Sequence, residues 1–455
     1  KKGLMSANER VNFGSKIGII LASAGSAVGL GNIWRFPCEV GENGGAAFIL
    51  VYILCVMFLG IPVMVSEFLI GRRSRANTGG AYEVLAPGTH WKWVGMMGVT
   101  AAFLILGYYG VVAGWTLEYM VASATGSLSE SKDYTLFFND FVGSPWKPVL
   151  YMAAFILLTH VVIVRGVKDG IEKFSKVMMP LLLLIICVLV VCSFSMPGSS
   201  EGLAFLLRPD FSKVDGKVVL DAMGQAFFSM SVGMGCLCTY ASYFTRDANL
   251  VKTAGSVALI DTFVAVLAGI VIFPACFTYG LEVTAGPSLL FDTMAGVFGN
   301  MAGGRWWGAL FFLFMVFAAL STVLGVCENI LAMVRELTGW SRPKGCVVCG
   351  VGIFLLALTT ALGYSVLHFQ PFAPGSAWLD FWDFIVSNNV LPLGSLVLAL
   401  FCCNRFGWGW DNFVAEANTG RGLKVRPWMK PIFRYFVPGA ILFIYIYGMV
   451  TFHWR

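Results

Sequence analysis

The chain has 455 residues, 58% of them hydrophobic and only 12% charged, and its mean hydropathy is +0.77. Soluble domains carry about 25% charged residues, so this balance excludes an ordinary soluble domain and points to a polytopic membrane protein. The net charge of +6 is no signal for nucleic acid, because the basic residues cluster in short loops between apolar segments.

Taken in order, hydropathy predicts about eleven spans of roughly 20 residues or more. They fall near 16–40, 45–70, 93–123, 147–164, 171–194, 219–243, 252–279, 305–336, 346–366, 380–403 and 431–452. The first is too long, and too rich in Gly, Asn and Arg, for the apolar core of a cleaved leader. Lys and Arg gather in alternate loops: Lys1, Lys2, Arg10 and Lys16; Arg72, Arg73 and Arg75; Arg165, Lys168, Lys173 and Lys176; Arg246 and Lys252; Arg335, Arg342 and Lys344; Arg405 to Lys430. All lie on one side if the N-terminus is cytoplasmic. The expectation is a multi-pass protein of the cell membrane with an external C-terminus.

Two connections have content of their own. Residues 284–304 are semi-apolar but too short to cross, and could form a helical hairpin over the external face. Trp408, Trp410, Phe413 and Trp428 alternate with basic residues, as in an interfacial segment. Most of the 12 cysteines sit in apolar stretches, so no disulfide framework is expected. The Cys346–Cys349 pair reads as core thiols, because the four histidines are scattered.

The first span is a poorly made helix. It carries Gly25, Gly29 and Gly31, then Asn32, Arg35 and Pro37. Glycine costs a helix about 1 kcal/mol relative to Ala, and an intramembrane Arg usually marks function. A break here frees backbone carbonyls and amides at membrane depth, where they must bind something else. A second such run, Gln225 to Cys236, opens the sixth span. Either run alone reads as close helix packing on small residues. Two in matching positions of two five-span blocks point to a transport site between inverted repeats. The domain expectation is one transmembrane unit over 1–455: repeat one about 10–195, repeat two about 217–404, and an extra helix at 431–452.

These runs carry a resemblance. Gly25-Ser26-Ala27-Val28-Gly29-Leu30-Gly31-Asn32, Trp34-Arg35-Phe36-Pro37 and Glu42-Asn43-Gly44-Gly45 resemble the first-helix signature of the neurotransmitter:sodium symporter family. Ser231-Val232-Gly233-Met234-Gly235 and Thr239-Tyr240-Ala241-Ser242-Tyr243 resemble its sixth helix. The resemblance implies an all-α leucine-transporter fold with discontinuous helices one and six, and sodium-coupled amino-acid symport by alternating access.

It also implies site residues. One sodium would meet Gly25, Val28, Ala318, Ser321 and Thr322. The other would meet Ala27, Asn32, Ser229 and Asp261, where Asp261 replaces the family's common Asn. A serine follows that Asn by four residues in chloride-dependent relatives. Here the position is Ala265, so chloride independence is expected, with the Asp261 charge in place of the anion. The substrate carboxylate would meet the amides of Leu30 and Gly31 and the hydroxyl of Tyr109. The ammonium would meet carbonyls of Ala27, Phe228 and Ser231. Gly29, where monoamine carriers of the family have Asp, argues for an α-amino acid. Ile105, Phe228, Ser231, Thr322, Val326 and the Gly233-Met234-Gly235 bend would select a hydrophobic or aromatic side chain between leucine and tryptophan in size.

The expected external gate is Arg35 with Asp383, beside Gln225. Its cytoplasmic counterpart is Arg10 with Glu336, plugged by Phe13 and steadied by Tyr243. Gly170 and Pro180 match a helix-unwinding motif of the family, though Pro180 could instead be a static kink. Glu67 is expected to accept amides of the unwound segments, and Glu328 has no evident role. The alternatives are an amino-acid sensor of the same fold without flux and a proton-coupled carrier. No paired nucleophile and base or cofactor motif suggests an enzyme.

Overall fold

The computed structural model describes residues 13–131, 133–280, 289–372, 376–419 and 424–451. Among them every regular element is a helix. Eight helices are long and apolar enough to cross a membrane: Ala46–Ser74, Lys92–Thr125, Val167–Phe194, Leu250–Tyr279, Gly304–Thr338, Arg342–Ala361, Trp378–Cys403 and Pro427–Thr451. Two bent pairs raise the number to ten, Lys16–Ala27 with Gly31–Glu42 at 50° and Tyr134–Val142 with Lys147–Ile163 at 77°.

The sixth expected span, 219–243, is broken where the Gln225–Cys236 run lies. Its helix Gly216–Ser229 stops inside the protein, and the chain resumes as a helix only over Cys236–Ala241. Hydropathy counts apolar residues whether or not they are helical, and 230–235 are buried but unwound. The ninth span begins earlier than expected, at Arg342, because Pro343 sits in its first turn, where a missing N–H costs nothing. In the connection expected to be external, the described part is one short helix, Met294–Asn300, after a turn at Leu289–Thr293. The turn packs through Phe291 against Trp115 and Tyr119. The expected hairpin's other arm lies outside the described residues. The interfacial segment contains the helix Trp410–Ala417. It is held by Arg72, which donates to Glu416 at 2.6 Å.

Side-chain caps start several helices. Ser15 accepts from the Gly18 N–H at 3.0 Å; Asp215 and Asn249 do the same for Gly216–Ser229 and Leu250–Tyr279. Such caps are worth about 1 kcal/mol each. Depth in the bundle differs sharply between helices. In Gly304–Thr338, 83% of the most apolar window is buried, against 28% in the last helix. The former packs along both Lys92–Thr125 and the broken first helix, and so supplies one wall of the site. All 12 cysteines are free.

Candidate functional site

The first helix ends at Ala27, and Val28 is extended at φ −71°, ψ 104°. At the second break Ser231 adopts φ +54°, and Gly233 and Gly235 adopt +86° and +78°. A left-handed backbone is costly for any residue but glycine, so three such residues in five end the helix. The breaks are tied together: the Ser231 hydroxyl donates to the Ser26 carbonyl at 2.8 Å.

Neighbouring helices hold the freed groups. Glu67 Oε1 accepts from the Gly233 N–H at 2.7 Å, and Oε2 from the Cys238 N–H at 3.3 Å. The Thr78 hydroxyl donates to the Gly235 carbonyl, and Asn329 Nδ2 to the Met234 carbonyl at 3.0 Å. In the first break, Leu30 N–H donates to the Tyr109 hydroxyl at 2.8 Å, and Gln225 Nε2 to the Gly31 carbonyl at 2.7 Å.

Two groups of oxygens result. In one, the Ser321 hydroxyl lies 3.2 Å from the Val28 carbonyl and 2.8 Å from the Ala318 carbonyl. The Thr322 hydroxyl lies 3.4 Å from the Gly25 carbonyl and 3.3 Å from that of Val28. In the other, the Asp261 carboxylate accepts from Asn32 Nδ2 at 2.8 Å, Ser229 at 3.0 Å and Tyr52 at 3.3 Å. Asp261 is fully buried, and among the described residues no Lys or Arg pairs with it. A buried carboxylate surrounded by neutral groups fits a cation guest, since an unpaired charge at this depth is costly.

Between these groups lies a small cavity lined by Ala27, Gly31, Ile105, Tyr109, Phe228, Ser231, Met234, Thr322 and Val326. Every lining residue belongs to the expected substrate set. The other four expected residues stand just behind it. Gly29 lies beneath Thr322 and Tyr109, Leu30 is held by Tyr109, Ser229 faces Asp261 and Gly233 abuts Leu391. No lining side chain is charged.

On one side of the cavity, Arg35 lies over the Phe228 ring at 5.2 Å and donates to Gln225 at 2.8 Å. Its expected partner Asp383 is 3.8 Å away, whereas Glu39 is at 3.1 Å. Asp383 in turn accepts from Tyr108 and Ser387. On the other side, Phe13 is buried and its ring lies about 6 Å from those of Tyr240, Tyr243 and Phe244. Arg10 lies outside the described residues. Glu336 accepts from Asn77 Nδ2. The Tyr243 hydroxyl, expected near Arg10, donates to Glu328 at 2.9 Å, and Glu328 is ion-paired with Arg342. That pairing supplies the role that the sequence left open. Gly170 lies in a wide turn, Val167–Glu172, against the Val162 carbonyl, and Pro180 sits within the following helix. The same helix packs Ser175 and Met179 beside Gly25.

Sequence reasoning missed Tyr52, Glu39, Thr78 and Asn329. Glu39 had a local signal, four residues after Arg35 on one helical face. Tyr52 is a lone hydroxyl in an apolar run. Thr78 and Asn329 carry no signal short of the fold.

Two helices broken at membrane depth around a closed cavity, with carbonyls and a carboxylate turned inward, define a secondary transporter. The profile of the Sodium:neurotransmitter symporter family matches residues 10–137 and 133–454, and the chain belongs to that family. A sodium-dependent transporter of Bacillus subtilis (strain 168), YhdH, is 37% identical over 97% of this chain and 98% of its own length. The sodium-dependent serotonin transporter of Drosophila melanogaster is 27% identical over 98% of this chain and 78% of its own length. The crystal structure of MhsT in complex with L-phenylalanine matches with a TM-score of 0.89 and 42% identity, over 96% of this chain and 100% of that one. The protein is thus a multi-pass, sodium-dependent membrane transporter, not an enzyme.

Proposed function

We propose that the chain is a sodium-coupled symporter that imports neutral L-amino acids with hydrophobic or aromatic side chains, by alternating access. The observation that carries this reading is the cavity: a small space with apolar walls, an amide and a tyrosine hydroxyl at one end, and no charged side chain. L-Phenylalanine, bound by MhsT, is of the class proposed.

Two sodium ions are proposed, one among Gly25, Val28, Ala318, Ser321 and Thr322, the other among Ala27, Asn32, Ser229 and Asp261. The substrate carboxylate completes the second shell, so that each ligand binds better when the other is present. That mutual preference is what couples the fluxes. Asp261 supplies the negative charge that would otherwise come from chloride, and transport is proposed to be chloride-independent. Residues 10–195 and 217–404 act as inverted halves, with the last helix accessory to them. The N-terminus is cytoplasmic, Arg35 with Asp383 guards the outer path, and Phe13 with Arg10 and Glu336 the inner one. Unwinding between Gly170 and Pro180 would admit water to the ion near Gly25.

The test is uptake of labelled tryptophan, leucine, glycine and glutamate into proteoliposomes, with sodium exchanged for potassium. Tryptophan and leucine accumulate only with sodium. Binding without accumulation would favour a sensor, sodium-independent uptake would sink the coupling, and glutamate preference would sink the reading of the cavity.

A further inference from the structure

A second cavity lies far from the first in character. The helices Lys147–Ile163 and Arg342–Ala361 leave between them a groove of about 440 Å³. Its walls include Ile156, Leu157, Val161, Val347 and Val351, and several of these are open to the surroundings, Leu157 at 67% and Val347 at 66%. One wall residue is polar. His160 donates from Nδ1 to the Ile156 carbonyl at 2.8 Å, which leaves Nε2 of the neutral ring as an acceptor. The ring lies across Gly350, where a Cβ would come within 3.0 Å of Nε2. Ionisable side chains in a membrane helix are rare and tend to mark a ligand.

One end of the groove is basic. Arg342 Nε donates to the Ile163 carbonyl at 2.7 Å, so the two helix ends meet at one level. Arg342 itself is taken up by Glu328. Arg165, next to the wall residue Val164, and Lys344, next to the wall residue Pro343, are exposed. Among the described residues neither forms an ion pair. Lys344 lies 4.7 Å from the Trp340 ring, and a Trp beside a Lys at a helix end is the usual furniture of the membrane–water interface.

We propose that this groove is a binding site for an anionic phospholipid, with an acyl chain between the two helices and the phosphate between Arg165 and Lys344. An apolar wall alone would take any lipid. Two cations beside its mouth, neither in an ion pair among the described residues, add preference for a negative headgroup, and His160 Nε2 accepts from a headgroup or glycerol hydroxyl. A second copy of the chain fits less well, because it would bring its own basic loops to the same level. The site adjoins Arg342, so a bound lipid braces the helix end that holds Glu328 and, through it, Tyr243.

The experiment is native mass spectrometry of the full-length protein titrated with phosphatidylglycerol or phosphatidylcholine of matched acyl chains. Phosphatidylglycerol is expected to be retained at least about tenfold better, with about fivefold lost for each charge removed in Arg165→Gln and Lys344→Gln. Val351→Trp fills the groove and abolishes retention with both charges intact. Val347→Trp, one turn away, serves if that variant does not fold, and Val191→Trp on another exposed face leaves retention unchanged. Equal retention of the two lipids overturns the proposal. So does retention that survives both groove-filling variants, or competition by inorganic phosphate at equal concentration, which would mean a bare anion site. A dimer that Val351→Trp dissociates, without any lipid preference, assigns the groove to self-association and overturns it as well.

Discussion

The Ser231 hydroxyl donates to the Ser26 carbonyl at 2.8 Å across the two helix breaks, from a residue whose φ of +54° is left-handed. One side chain therefore joins the unwound segments and holds an unfavourable backbone while doing so. Ser231→Ala keeps the backbone cost and orphans a buried carbonyl, an expected loss of about 1–3 kcal/mol. Ser231→Gly loses the same bond but relieves a conformation that costs a non-glycine residue about 1–2 kcal/mol. The thermal midpoint in detergent should therefore fall further for alanine than for glycine. Both should weaken amino-acid binding, because residue 231 also lines the cavity. Equal midpoints would show that residue 231 does not hold a left-handed backbone in solution.

Gly29 tests how tightly the first break is fitted. A Cβ there would run into the hydroxyls of Thr322 and Tyr109, and approach Thr322 Cβ to 3.0 Å. Those hydroxyls hold the Leu30 amide and face the Gly25 and Val28 carbonyls, so neither yields without disturbing the site. Overpacking of about 1–3 kcal/mol should reduce sodium-dependent uptake by Gly29→Ala at least about tenfold. Gly255→Ala is the control, since nothing lies within 4 Å of its Cβ. Full activity in Gly29→Ala would show that the first helix moves away from Thr322.

These two residues also mark what a sequence can and cannot reveal. The breaks were legible because glycine, Asn and Arg are costly inside an apolar run, and that cost is local. The length of the sixth span was not legible. Ser231, Gly233 and Gly235 mark the break at 230–235, but not how far it extends or that Glu67, Thr78 and Asn329 reach in from other helices to hold the freed groups. Likewise Arg35 and Asp383 could be paired by resemblance, but only the fold shows Glu39 nearer to the guanidinium. Glu328 gained a role once Arg342, fourteen residues on, was seen beside it.

Asp261 carries the chloride argument. Its carboxylate is buried among Asn32, Ser229 and Tyr52 with no basic partner among the described residues. Replacing chloride by gluconate should leave uptake unchanged. Asp261→Asn removes a full charge beside the proposed ion, a Coulomb effect of up to about 4 kcal/mol at an effective dielectric constant near 20. The sodium concentration for half-maximal uptake should rise more than about tenfold. Adding Ala265→Ser should bring back part of the loss only when chloride is present. Sodium dependence unchanged in Asp261→Asn would remove this residue from the ion site.

Glu39 offers a sharper view of the outer gate. Arg35 sits 3.1 Å from Glu39 on its own helix and 3.8 Å from Asp383 on another. Only the second contact spans the path between moving parts, so Glu39 competes with closure. Glu39→Gln keeps the size and removes the rival charge, which frees the guanidinium for Asp383. A charge-assisted hydrogen bond is worth about 1.5–3 kcal/mol, and a modest part of that should slow release of a bound labelled amino acid to the outside several-fold. Asp383→Asn should act in the opposite direction and speed release. The double variant separates competition from simple damage: with Asp383 gone, Glu39→Gln should add nothing, and release should match that of Asp383→Asn alone. If Glu39→Gln instead speeds release, Glu39 helps to hold Arg35 in place for closure and does not oppose it.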